Sequence, residues 1–375
     1  MTTPPTFAAF ELERWQSDWE QRVEVNLADS GVDPVPLGAL LDGDLGPLAA
    51  HPLHYPEVNG TQRLRERIAA LYPGCRPEQV LVTVGAAEAN SLVVQLLAGA
   101  GDRVAVMTPG YQQVRGLAAN AGAHVVDLPL RQEQGWRPDL DAVADAVRPG
   151  TALVSVNTPN NPTGTVLTDA ELDAVVAAAE RSGAWLHSDE VYRGSELDGP
   201  EAPTAWGRSD RVLVVGSLSK AYGLSGLRVG WVVGPEDAVE ALWRRHEYAA
   251  IATASLSMLL AERALEPATR SWLLDRQRTL ARAGRRTLLD WVAAHPDLVE
   301  LDPPAATALG LPRLLRQTDS VAVATAIRDR AGVLVCPGVY LGAEGHLRLS
   351  HALDPARTAQ ALDRVADVLT ALGAA

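Results

Sequence analysis

Residues 217–231 read SLSKAYGLSGLRVGW and follow directly on the apolar run VLVV at 212–215. Four β-favouring residues that run into hydroxyls, a lysine and a glycine-rich turn read as a buried strand ending in a loop. The same rhythm extends outward on both sides. From about 61 to 233, short apolar segments alternate with amphipathic ones. Strands are expected at 80–84, 103–107, 124–128, 152–156, 184–187, 212–215 and 229–233. Helices lie between most of them, as at 86–98 and 169–179, and another at 237–246 follows the last. Apolar strands separated by helices demand a mostly parallel sheet covered on both faces, a three-layer αβα unit with seven strands. Ligands of such sheets gather beyond the carboxyl ends of the strands.

After about residue 250 the pattern changes. Leu-, Ala- and Arg-rich helical sequence runs to about 294, short strands are expected at 299–301, 309–313, 333–336 and 347–350, and a last helix covers 355–372. The expected organisation is an N-terminal segment (1–45) packing on the small domain or over the cleft, a large domain (46–250) and a smaller α+β domain (251–375).

The 375-residue chain is long enough for two packed domains. Its net charge of −13 argues against nucleic acid, which needs a basic footprint. No apolar run approaches the ~18 residues a spanning helix needs, and the opening lacks a basic, apolar leader. Two cysteines, Cys75 and Cys336, make neither a disulfide framework nor a metal knuckle. A cytoplasmic protein without metal or membrane partner is the expectation.

A lysine in a loop is usually a solvated charge, but Lys220 has unusual company. Ser217 and Ser219 precede it and Arg228 follows eight residues later. An amine forms an imine with an aldehyde, while hydroxyls and a guanidinium hold a phosphate. The stretch resembles the lysine signature of the class I/II aminotransferases, fold-type I enzymes that use pyridoxal 5′-phosphate (PLP), and Lys220 matches the cofactor-bearing lysine.

Three further segments match that family in chain order. VTVGAAEANSLVV places Gly85, Ala86 and Ala87 at a helix N-terminus, where backbone N–H groups suit a phosphate. SVNTPNNPTG carries Asn161, which the resemblance makes a donor to the cofactor's phenolic oxygen. LHSDEVYRG carries Asp189, resembling the partner of the pyridinium nitrogen, and Tyr192, a second partner of the phenolic oxygen. Tyr111 resembles the residue stacked on the ring. Tyr55 resembles the tyrosine that reaches the phosphate of a second subunit, which implies a homodimer with sites at the interface. For the substrate, Arg348 resembles the arginine gripping the α-carboxylate and Gly31 the N-terminal glycine beside it. The plainer readings are a β-to-α turn at 85–87, an Asn-Pro turn, an acidic surface turn, core tyrosines and a solvated arginine.

The resemblance implies an enzyme that joins an L-amino acid to PLP as an imine and removes its α-proton, with an aminotransferase as the leading reading. LERWQSDWE, VNLADSGV and GVLVCPG look most like the capreomycidine synthase branch of PLP enzymes acting on arginine derivatives. That makes a cyclase, lyase or oxygen-using oxidase the alternative. PPAATALGLPRL (303–314), with small side chains where many members are aromatic-rich, suggests a roomier pocket. Asp29, with Glu13, Asp18 and Glu20, could face a cationic substrate, although most of these acids read as the solvated face of a helix whose Trp15 and Trp19 pack inward. The sensor domain of a transcription regulator, marked by an added winged helix, is the non-enzymatic alternative.

Overall fold

The computed structural model describes residues 7–373; residues 1–6 of the expected N-terminal segment and 374–375 lie outside the described residues. Strands β1 (Val80–Thr83), β2 (Arg103–Thr108), β3 (His124–Arg131), β4 (Arg137–Pro138), β5 (Thr151–Asn157), β6 (Trp185–Asp189), β7 (Val212–Ser217) and β8 (Gly230–Val233) form one sheet. Its order is β1-β8-β7-β6-β5-β2-β3-β4. The pairings from β7 through β6, β5 and β2 to β3 are parallel, while β8 runs antiparallel to both β7 and β1.

β1, β7 and β8 are buried along their whole length. Their alternate side chains enter two different cores: Val80, Val82, Val212 and Val214 one, Leu81, Leu213 and Val215 the other. Helices on both faces therefore account for apolar strands without a polar alternation. The covering helices are locally specified. In Asp169–Ser182, Thr168 and Glu171 form a capping box and Gly183, at φ 77°, ends the helix in the left-handed region.

A third core gathers Leu12, Trp15, Leu27, Leu288, Ile327, Leu349 and Val365. It lies among helices Pro267–Ala294, Ser320–Ala331 and Pro355–Gly373 and a three-stranded sheet of Leu309–Gly310, Leu347–Ser350 and Cys336–Pro337. The N-terminal segment joins this core. Val25–Asn26 pairs in parallel with Val333–Leu334, and the indole of Trp15, on helix Glu11–Trp19, donates to Val335 O at 2.9 Å. No helix among the described residues is long and apolar enough to cross a membrane.

Three expectations are corrected. The sheet has eight strands rather than seven, because the chain turns back after β3 and Arg137–Pro138 adds an edge pairing. The strand expected at 309–313 is two: Leu309–Gly310 pairs with Leu347–Ser350, and Arg313–Leu314 with Val299–Glu300. Pro312, which has no N–H to donate, separates them. The strand expected at 333–336 likewise divides, its halves pairing with Val25–Asn26 and Leu347–Ser350.

Candidate active site

The parallel strands β5, β6 and β7 end side by side, with Asn157 in register with Asp189. On the far side of β7, Ser217 is opposite Gly230 at the start of β8, and Gly230 is opposite Thr83 at the end of β1. Sheet register thus delivers the chain following Thr83, Asn157, Asp189 and Ser217, and the chain preceding Gly230, to one edge. A cavity of about 440 Å³ opens there. Among its walls are Lys220, Asp189, Tyr192, Asn161, Tyr111, Ser217, Ser219, Arg228, Ala86 and Ala87, all singled out from the sequence.

One corner is built for an anion. Helix Gly85–Leu97 points its N-terminus inward, where the first amides have no intrahelical acceptor. Gly85 has φ 75°, and a Cβ added there would meet Arg228 Nη2 at 2.4 Å, so only glycine lets the guanidinium approach this closely. Arg228 itself sits at φ 52°, a conformation rare for a side-chain-bearing residue and often found at functional sites. Its Nη1 donates to Ser219 Oγ at 3.4 Å, and Ser217 Oγ accepts from Ser219 N at 3.2 Å. A cradle that a methyl group would fill, ringed by amides, hydroxyls and a guanidinium, fits the phosphate of PLP.

Deeper in, Asp189 is buried, and burial pushes its carboxyl up from 3.8 to about 6. Val191 N at 3.2 Å and Asn90 Nδ2 at 3.2 Å donate to its two oxygens and oppose that shift, as does the charge of Lys220. A carboxylate held at this depth suits the protonated ring nitrogen of PLP, which would relieve its isolation. Tyr192 OH donates to Ser30 O at 3.0 Å, and Tyr111 OH to Glu13 Oε1 at 2.8 Å.

Lys220 Nζ donates to Ser30 Oγ at 2.7 Å. Burial lowers its pKa, with Arg348 and Arg228 acting in the same direction and Asp29 and Glu13 against it. A larger neutral fraction makes the amine a better nucleophile and base. Arg348 is fully buried behind the cavity wall; its Nη1 donates to the wall residue Asn161 at Oδ1, 3.2 Å away, its Nη2 to Ala28 O, and its Nε has no partner among the described residues. An unpaired buried guanidinium nitrogen is costly until an oxygen ligand meets it, and a substrate carboxylate supplies one.

Asp29 lines the cavity, whereas Gly31 stands just behind it, donating its N–H to Asp29 Oδ1 at 2.8 Å. Ser30 takes the wall position next to the lysine. Tyr55 is 80% exposed and lies away from the cavity. The sequence reading did not single out Ser30, Asn90, Gln113 or Asn157, and it set Glu13 and Glu20 mainly on a solvated helix face. Asn157 carried a signal: it precedes Asn161 by one polar turn and accepts from its N–H at 2.7 Å.

Comparison with known proteins identifies the family. The chain is 33% identical over 352 residues to capreomycidine synthase of Streptomyces vinaceus, covering 92% of this chain and 90% of that protein. It is 32% identical to the arginine–pyruvate transaminase of Pseudomonas aeruginosa, with the same coverages. A PLP-dependent aminotransferase from Streptococcus suis superposes with a TM-score of 0.91 at 29% identity, over 98% of each chain. Residues 51–365 match the model of the aminotransferase class I and II family. A lysine, a carboxylate and an anion cradle meeting at one sheet edge, in a chain that matches this family over most of its length, have one explanation: the protein belongs to the class I and II aminotransferases and is a PLP enzyme.

Proposed function

We propose that the chain takes up a cationic L-amino acid, removes its α-proton through Lys220 and transfers its amino group to a 2-oxo acid. The observation that carries this reading is the placement of opposite charges about one cavity, with the buried Arg348 just behind the wall at Asn161 and Glu13, Glu20 and Asp29 on the wall formed by the N-terminal segment. PLP, when bound, supplies the electron sink for the pair left at the α-carbon. Arg348 would hold the α-carboxylate as a two-pronged partner, with Asn161 orienting the guanidinium. Lys220, freed when the substrate's amine replaces its own, would carry the α-proton. The acids would then face a distal guanidinium or ammonium group.

A second reading keeps the same proton abstraction and ends in ring closure, elimination or oxidation by oxygen. The 33% identity to capreomycidine synthase favours it. Incubating the holoenzyme with a panel of amino acids, with and without a 2-oxo acid and with and without oxygen, distinguishes them by product mass. Sustained transamination requires the 2-oxo acid, and without it the enzyme stops after one product per site in the pyridoxamine form; more than one product per site without a 2-oxo acid overturns the first reading.

Both Asp29 and Glu13 are exposed, so each contributes modestly. Asp29→Asn and Glu13→Gln are each expected to raise KM for a guanidino amino acid roughly two- to fivefold, with PLP content unchanged. An unaltered KM in both would remove the cationic-substrate element.

The proposed active unit is a homodimer. Leu53, Tyr55, Tyr248 and Ile251 are large exposed side chains, and His246 contacts Val58 O at 3.1 Å, which ties the helix end to the loop bearing Tyr55. Such apolar exposure is characteristic of surfaces that pair. Tyr55→Phe is expected to weaken PLP binding about fivefold through loss of one hydrogen bond to the neighbouring site's phosphate. A monomeric mass by sedimentation, with PLP fully bound, would count decisively against this arrangement.

A further inference from the structure

Behind the carboxylate of Asp189 runs a buried polar chain that the sequence reading did not use. Ser155 Oγ lies 2.9 Å from His187 Nδ1, His187 Nε2 lies 2.9 Å from Asn90 Oδ1, and Asn90 Nδ2 reaches Asp189 Oδ2 at 3.2 Å and Gln113 Oε1 at 3.1 Å. Ser155, His187 and Asn90 are each at least 95% buried. Three elements supply the chain: β5 gives Ser155, β6 gives His187 and Asp189, and helix Gly85–Leu97 gives Asn90.

The donor directions are determined throughout. Gln113 Nε2 is engaged with Ala87 O at 2.9 Å, which leaves its oxygen facing Asn90. Both hydrogens of the Asn90 amide therefore point at oxygens, and turning the amide over would set its own oxygen against a carboxylate. Asn90 Oδ1 can only accept, so His187 carries its proton on Nε2, and Nδ1 accepts from Ser155. Burial holds the His187 ring neutral, with a pKa near 4.

We propose that Asn90, oriented from behind by His187 and Ser155, is the positioning residue that holds Asp189 and aims its remaining lone pairs into the cofactor cavity. A buried amide with no freedom to turn over keeps one oxygen of Asp189 fixed, while Val191 N keeps the other. The arrangement is analogous to the outer partners that orient metal ligands, whose loss commonly costs tenfold or more in affinity. The inference rests on the PLP site and is independent of which amino acid the enzyme uses.

The sign of the pH effect follows from the donor. Hydrogen bonding from Asn90 favours the ionised carboxylate, so removing it raises the pH at which Asp189 takes up a proton and loses the ring nitrogen. The other groups bearing on Asp189 are Lys220, Tyr111 and Tyr192; Glu190 turns away to Ser188, Thr204 and Ala205.

The test is PLP affinity of the full chain by equilibrium dialysis across pH, without substrate, so that an error in the proposed reaction leaves its outcome untouched. Asn90→Leu is expected to move the acid limb of the affinity profile up by about one pH unit, which is about tenfold in affinity on that limb. His187→Leu moves it the same way by less, and His187→Gln, which can still donate and accept, stays near the parent. Melting temperatures of the cofactor-free variants identify any that fail to fold. Asn90→Ala, which removes the donated hydrogens without adding a charge, carries the same expectation if the leucine variant is unfolded. A folded Asn90 variant with the parent's affinity and acid limb overturns the proposal, as does a His187→Gln profile no closer to the parent than that of His187→Leu.

Discussion

Lys220→Ala is expected to yield a folded protein in which borohydride fixes no pyridoxyl group at position 220, with turnover lowered on the order of 10³-fold. The lysine follows β7 by three residues, so its backbone is anchored by a strand buried throughout. Its amine has one hydrogen-bond partner, Ser30 Oγ, and burial favours its neutral form. These properties suit both roles assigned to it, attachment of the cofactor and proton transfer, and alanine removes both. Mass spectrometry of the reduced protein reads the first role and single-turnover kinetics the second. A reduced adduct on another lysine, or a turnover equal to the parent's, would contradict the assignment.

Asp189→Asn is expected to change the pH dependence of stability and to lower turnover. In the cofactor-free protein the carboxyl titrates near 6 rather than 3.8, because burial disfavours its charge. Its contribution to stability is therefore full below about pH 4 and is lost as pH rises through about 6, leaving an ionised group that costs on the order of 3 kcal/mol at neutral pH. Asparagine has the same shape and no charge, but its NH2 must face either Val191 N–H or the Asn90 amide, donors that the carboxylate oxygens satisfy, which costs about 1–3 kcal/mol at every pH. The cofactor-free variant should therefore melt below the parent at pH 4 and gain several degrees relative to it by pH 7. With PLP the ring nitrogen loses its counter-charge, and turnover should fall on the order of 10²- to 10³-fold. Paired thermal melts at the two pH values and a rate measurement on the loaded protein check both halves. A melting difference between variant and parent that is the same at pH 4 and at pH 7 would refute the electrostatic account.

How legible the molecule was depends on how local each signal is. Most of the seven long strands could be read because burial on both faces left apolar runs such as Val80–Thr83 and Val212–Ser217, whereas the half-exposed His124–Arg131 offered only a short one. Arg137–Pro138 could not: two residues, one of them proline, have no strand pattern, and only the return of the chain beside β3 makes them one. The division at Pro312 was visible as a missing donor, yet which partners the two halves would find depended on residues far off in sequence. The same holds at the site. Lys220, Asn161 and Asp189 stand in local strings that betray a strand end, and Arg228 follows a glycine-rich turn. Asn90 is one of four polar residues in its helix, with Glu88, Ser91 and Gln95, and its meaning appears only when His187 and Asp189 arrive on β6. Ser30 was passed over for its neighbour Gly31 because nothing in the string says which of the two faces inward.

Helix Glu11–Trp19 is anchored in the C-terminal core through Leu12 and Trp15, yet its Glu13 and Gln16 line a cavity whose floor belongs to the sheet. Under the proposed reading, the chemistry common to the family and the selection of what undergoes it would reside on different lengths of chain, so that substitution on this one helix would retune the choice of molecule while the machinery beneath stays intact.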